Sequence, residues 1–129
     1  RNDHLKLYHE ADISLDPLPF NGATTTFEAL SMGLPVITLK GDRFVSRVTT
    51  SMVTHIGRSE FATNTPEDYI KINRELSKNP DKLNIIRQNL RSQIHNSSLC
   101  NDKVYTNEIE KAYRNMWALW CKTAEYREF

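Results

Sequence analysis

Residues able to do chemistry crowd into one stretch of the chain, Asn21-Gly22-Ala23-Thr24-Thr25-Thr26-Phe27-Glu28. An Asn-Gly step turns the backbone sharply and lets it come close to a ligand. The threonines that follow mark a helix start, where unpaired N–H groups and a partial positive charge suit a phosphate. Thr24 and Thr25 add hydroxyl donors beside their own amides. Glu28 falls one turn after Thr24 on the same helix face. A carboxylate there can accept hydrogen bonds from a ribose diol, as acidic residues do in other nucleotide folds. Asn21, Gly22, Thr24, Thr25 and Glu28 are therefore candidate nucleotide-binding residues. The same residue types also serve as plain helix caps and as an acid that favours the helix dipole. Taken alone they leave phosphate binding open. Neither GxGxxG nor GxxxxGK[ST] is present, so no dinucleotide fingerprint or P-loop is indicated.

The surrounding elements must position that stretch. His4 to Ala11 predicts the end of a short helix, and Asp12–Asp16 a strand halted by Pro17 and Pro19. Thr24–Met32 predicts a helix opened by threonine caps and closed by Gly33. Pro35–Leu39 is a β-branched run between glycines, hence a second strand. Asp42 or Arg43 through Ile56 predicts another helix, stopped by Gly57. Residues 12–39 thus spell a βαβ unit with two parallel strands. Beyond Gly57 the pattern is helical, with starts at Pro66 and at Pro80-Asp81. A last helix is expected from about Lys103 to Glu125, because Ile109, Ala112, Tyr113, Met116, Trp117 and Trp120 recur at helical spacing. Two parallel strands leave two open edges and cannot make a buried sheet. The expectation is the tail of a doubly wound α/β domain whose other strands lie upstream of Arg1.

Composition narrows the partners. The chain has 129 residues, 39% of them hydrophobic and 26% charged, enough to bury a core. With 17 Lys and Arg against 16 Asp and Glu, the net charge of +1 argues against a nucleic-acid partner. No apolar run approaches the roughly 18 residues needed to cross a bilayer. Cys100 and Cys121 sit in no CxxC or Cys/His cluster and read as reduced thiols, so the expected compartment is cytoplasmic. His4, His9, His55 and His95 have no ligand spacing and no DxD motif appears, so no metal and no cofactor are expected. Arg43 and Arg47 lie four apart and read as a solvated basic face.

A resemblance sharpens the reading. Ala11-Asp12-Ile13-Ser14-Leu15-Asp16-Pro17 followed by Asn21-Gly22-Ala23-Thr24-Thr25 resembles the donor-site segment of the O-GlcNAc transferases and their SPINDLY-like bacterial relatives. Glu28 through Leu39, then Gly41, Phe44, Ser46-Arg47-Val48, Ser51 and Gly57, continue the match in order. Tyr105-Thr106, Glu110, Ala112-Tyr113-Arg114 and Met116-Trp117 are similar to that family's closing helix.

The resemblance implies a GT-B fold, with this chain as the C-terminal part of the donor-binding lobe. Residues 1–60 would be its βαβ nucleotide-sugar-binding part and 61–129 its helical part. It implies that Thr24 and Thr25 meet the donor diphosphate and Glu28 the ribose. Arg1 and His4 resemble the family's basic-x-x-His step at the nucleoside. The implied activity is inverting, metal-independent transfer of a sugar, GlcNAc from UDP-GlcNAc, to Ser or Thr of proteins. No catalytic residue is assigned within the chain, since the family's general base would lie upstream of Arg1, as would tetratricopeptide repeats. The expected partners are a UDP-sugar, a protein or peptide acceptor and the remainder of the same polypeptide. A related O-fucosyl- or glucosyltransferase, or a non-catalytic helical interaction module, are the alternatives. Two departures bear on this. Ala23 stands where many animal members have histidine, and Phe20 stands where retaining GT-B enzymes carry an acid eight positions before the ribose-binding Glu.

Overall fold

The computed structural model describes residues 2–124. Arg1, and the expected helix end at Glu125, lie outside them. The chain opens with α1 (Asn2–Lys6), which runs into a single 3-10 turn at Leu7–His9. Strand β1 (Ser14–Leu15), helix α2 (Thr24–Ser31) and strand β2 (Val36–Leu39) then form the expected βαβ unit. β1 pairs with β2 in parallel, Ser14 opposite Val36 and Leu15 opposite Ile37.

Helix α3 (Val48–His55) leads to a strand that the residue pattern does not announce, β3 (Ala62–Thr63). It runs parallel to β2, with Thr38 opposite Ala62 and Leu39 opposite Thr63. The expectation of two strands is thus corrected to a three-stranded sheet of order β1-β2-β3. A two-residue strand carries no periodicity of its own. It exists because β2 offers its backbone groups, as where Lys40 N–H donates to the Thr63 carbonyl at 2.8 Å. The helix expected from Asp42 or Arg43 to Ile56 is also divided, into a 3-10 turn at Phe44–Ser46 and then α3.

Both glycine stops hold for one reason. Gly33 and Gly57 adopt φ of +81° and +75° just past α2 and α3. The next amide in each case reaches back to the helix, Leu34 N–H to the Ala29 carbonyl and Arg58 N–H to the Val53 carbonyl. That left-handed residue satisfies the carbonyls which a helix end leaves open. The proline starts hold as well. Thr65 and Asn79 cap α4 (Pro66–Ser77) and α5 (Pro80–His95) by accepting the amides of Asp68 and Lys82.

Helices α2, α3 and α4 pack on β2, and α5 packs on α2 and α4. Leu30, Val36, Ile37, Val53, Phe61 and Leu90 are buried at the centre of this contact, which makes β2 the spine of the core. Burial of such side chains is the main favourable term in folding. Helix α6 (Asp102–Ala124) leaves this body, and Tyr113, Met116 and Trp117 on its apolar stripe are exposed. Cys100 and Cys121 are free and exposed. No helix among the described residues is long and apolar enough to cross a membrane.

Candidate nucleotide-sugar site

The carboxyl ends of the three strands share one edge, and the loop from β1 into α2 lies there. Its conformation is set from beneath. Asp16 is only 4% exposed; its Oδ1 accepts the Gly22 N–H at 2.9 Å and its Oδ2 accepts the Thr38 hydroxyl at 2.7 Å. The Asn21 N–H donates to the Val45 carbonyl at 2.9 Å, which ties this loop to the one that follows β2. The Asn21 side chain is buried; its amide lies 3.4 Å from the Pro17 carbonyl and from Thr38 Oγ1. Thr49 on α3 donates to the Gly22 carbonyl at 3.2 Å.

This places two of the sequence candidates in a supporting position. Asn21 points under the loop. Gly22 is required by its own helix, since a Cβ there would stand 2.5 Å from Thr26 Oγ1 and 3.0 Å from Thr25 Oγ1. The glycine admits the helix start close behind it, which is a packing reason for the Asn-Gly step.

The start of α2 differs from expectation in a telling way. The residue before its first turn is Ala23, and no side chain caps it. The threonines expected as caps sit inside the first turn instead, with Thr24 and Thr25 exposed and Thr26 buried against Thr49. A helix end without a side-chain cap keeps its N–H groups and its partial positive charge available. Two exposed hydroxyls stand beside them.

One turn on, Glu28 is held by the N-terminal segment. Its Oε2 lies 3.3 Å from the Tyr8 hydroxyl and 3.3 Å from His4 Nε2. Tyr8 and His4 meet edge to face, their ring centroids 5.5 Å apart. An ionised carboxylate only accepts, so a proton on Nε2 is the tautomer that suits this trio. His4 is thus brought to Glu28 across 24 residues of sequence, whereas Arg1 lies outside the described residues. Tyr8 was missed, although its place one turn after His4 is a readable signal. Asp16, Thr38 and Thr49 were missed too, because polar residues inside strand and helix patterns reveal no partners until the chain folds. A neighbouring hollow of about 410 Å³ lies between the two loops, lined by Leu18, Phe20, Lys40, Arg43 and Val45 among others.

The Tyr8 phenol is pushed above its ordinary range, first by burial, then by the charge of Glu28 and the hydrogen bond to it. A raised folded value means the neutral phenol is favoured by folding. Its stabilising contribution is fully present below about pH 10 and is lost as pH rises through the folded value. Tyr69 is raised also, by burial and by the charge of Asp16. In an ultraviolet titration of tyrosinate, Tyr8→Phe should therefore remove one late step and leave the earlier ones unchanged.

Comparison with known proteins bears on the family and the fold. The model of glycosyl transferase family 41 matches residues 1–109. The probable UDP-N-acetylglucosamine--peptide N-acetylglucosaminyltransferase SPINDLY of Arabidopsis thaliana is 35% identical over 121 residues, which are 94% of this chain and 13% of that protein. The UDP-N-acetylglucosamine--peptide N-acetylglucosaminyltransferase of Caenorhabditis elegans is 29% identical over 117 residues, 91% of this chain and 10% of that one. A solved mutant of the O-GlcNAc transferase of Thermobaculum terrenum superposes with a TM-score of 0.86 at 40% identity, covering 96% of this chain and 24% of its own. The chain thus spans a small part of the relatives it matches. The fold is the expected α/β class, the C-terminal part of a GT-B lobe. With most of its length matched by the family model and by these relatives, the chain belongs to glycosyl transferase family 41.

Proposed function

We propose that this chain forms the donor-binding part of a glycosyltransferase that moves GlcNAc from UDP-GlcNAc to Ser or Thr hydroxyls of proteins, with inversion and without a metal. The observation that carries this reading is the uncapped start of α2 beside Glu28. Thr24 and Thr25 present amides and hydroxyls to a diphosphate, and Glu28, held by Tyr8 and His4, accepts from the ribose diol. Arg1 and His4 flank the nucleoside on the same reading. As the glycosidic bond breaks, negative charge grows on the departing diphosphate. A fixed helix dipole with pre-aimed donors stabilises that charge without reorganising. Phe20 in place of an acid supports inversion, since a retaining pattern would carry a carboxylate there. The acceptor is a separate protein or peptide, and the general base and the rest of the donor pocket come from other parts of the polypeptide. The names of the relatives support GlcNAc as the sugar.

The test is a titration of the full-length, isotopically labelled protein with UDP, followed by the amide chemical shifts of this segment. Saturable shifts are expected at Thr24, Thr25, Thr26 and Glu28, with weaker response to UMP, which lacks the second phosphate. Shifts scattered over the surface, or no shift at millimolar UDP, would reject donor binding and leave the helical interaction module as the reading. Competition by UDP-GlcNAc, UDP-glucose and GDP-fucose then ranks the donors.

A further inference from the structure

Asp16 and Thr38 form a buried acid–hydroxyl brace beneath the loop that leads into α2. Asp16 is 4% exposed and Thr38 0%. The Thr38 hydroxyl donates to Asp16 Oδ2 at 2.7 Å, and the Asn21 side-chain amide donates to Thr38 Oγ1 at 3.4 Å. Asp16 spends its other oxygen on the Gly22 N–H at 2.9 Å. Among the described residues no ion pair is formed by Asp16. A carboxylate buried without a cation is expensive, so hydrogen bonds to its charged form must offset the desolvation. Together with the Asn21–Thr38 contact, those bonds join the middle strand of the sheet to Asn21 and Gly22, which lead through Ala23 into the helix start.

We infer that Asp16 and Thr38 are positioning residues for donor binding: through Gly22 and Asn21 they fix the direction in which the first amides of α2 point. The inference rests on the donor-binding reading above. Gly22 lies two residues before Thr24, so a rotation of its peptide reorients the amides that face the diphosphate. Neither Asp16 nor Thr38 touches the donor on this reading. Their effect passes through the loop backbone. Sites that must hold ligand groups to within about half an ångström depend on such support.

Thr38→Val removes the hydroxyl at nearly constant shape, while Thr38→Ser keeps it. Thr63→Val is the control. It removes a buried hydroxyl bond of similar length, 2.9 Å to the Thr38 carbonyl, that lies wholly within the sheet. Three readouts are taken on the full-length protein: UDP affinity, hydrogen exchange of the Gly22 amide, and urea midpoint. Thr38→Val should weaken UDP about tenfold and speed Gly22 exchange beyond its change in global stability. Thr38→Ser should restore both. Thr63→Val should lower the urea midpoint with UDP affinity unchanged. If Thr38→Val and Thr63→Val weaken UDP alike, or if Thr38→Val leaves UDP binding and Gly22 exchange as in the parent, the positioning role is overturned. If the parent chain binds no UDP, the donor reading fails first and this inference falls with it.

Discussion

Replacing Phe61 by alanine is expected to remove about 3–5 kcal/mol of stability, a large part of the roughly 5–15 kcal/mol that holds an ordinary domain together. Phe61 is 1% exposed and stands immediately before β3. It is joined in the core by Leu76 of α4 and Ile86 of α5, so its ring links the sheet edge to the helical part. Truncation leaves a hole that rigid neighbours close only in part, and the lost contacts add to the lost burial. Phe61→Leu, which keeps much of the volume, should cost far less. Urea unfolding followed by circular dichroism measures both. A midpoint for Phe61→Ala within error of the parent would mean that β3 and its flank contribute little, against the packing described here.

The second large effect falls on ligand affinity with little change in stability. Glu28→Ala should weaken UDP by about tenfold or more, the scale of a hydrogen bond to a charged group. The Glu28 side chain is 32% exposed and His4 58%, so the fold should lose no more than about 1 kcal/mol, as for other exposed pairs. Inorganic pyrophosphate separates the roles. It carries no ribose, so its binding should survive Glu28→Ala, whereas a diphosphate contact through Glu28 would make both ligands weaken together. Calorimetry with UDP and with pyrophosphate on the full-length parent and variant decides between these outcomes.

Much of this protein was legible in its residues. Gly33 and Gly57 closed helices because only a residue at ease with positive φ completes such an end. Pro66 and Pro80 opened helices because a missing N–H costs nothing in a first turn. The β1-α2-β2 unit followed from two apolar runs around a helical one. The family resemblance rested on motifs that keep their order along most of the chain.

The remainder depended on partners distant in sequence. Ala62–Thr63 is a strand only because β2 lies beside it, and no local pattern records a neighbour's backbone. The threonines at 24 and 25 looked like caps, yet the cap position fell to Ala23, since the bonds of Gly22 to Asp16 and Thr49 set where the helix begins. Tyr8 joined His4 and Glu28, and Asn21 turned inward to Thr38, through contacts spanning 17 to 24 residues. Residue types and spacing determined which elements form and which groups could meet a nucleotide-sugar. Only tertiary packing decided which of those groups face solvent and which brace the others, because burial and hydrogen-bond partnership belong to pairs of segments and not to either one.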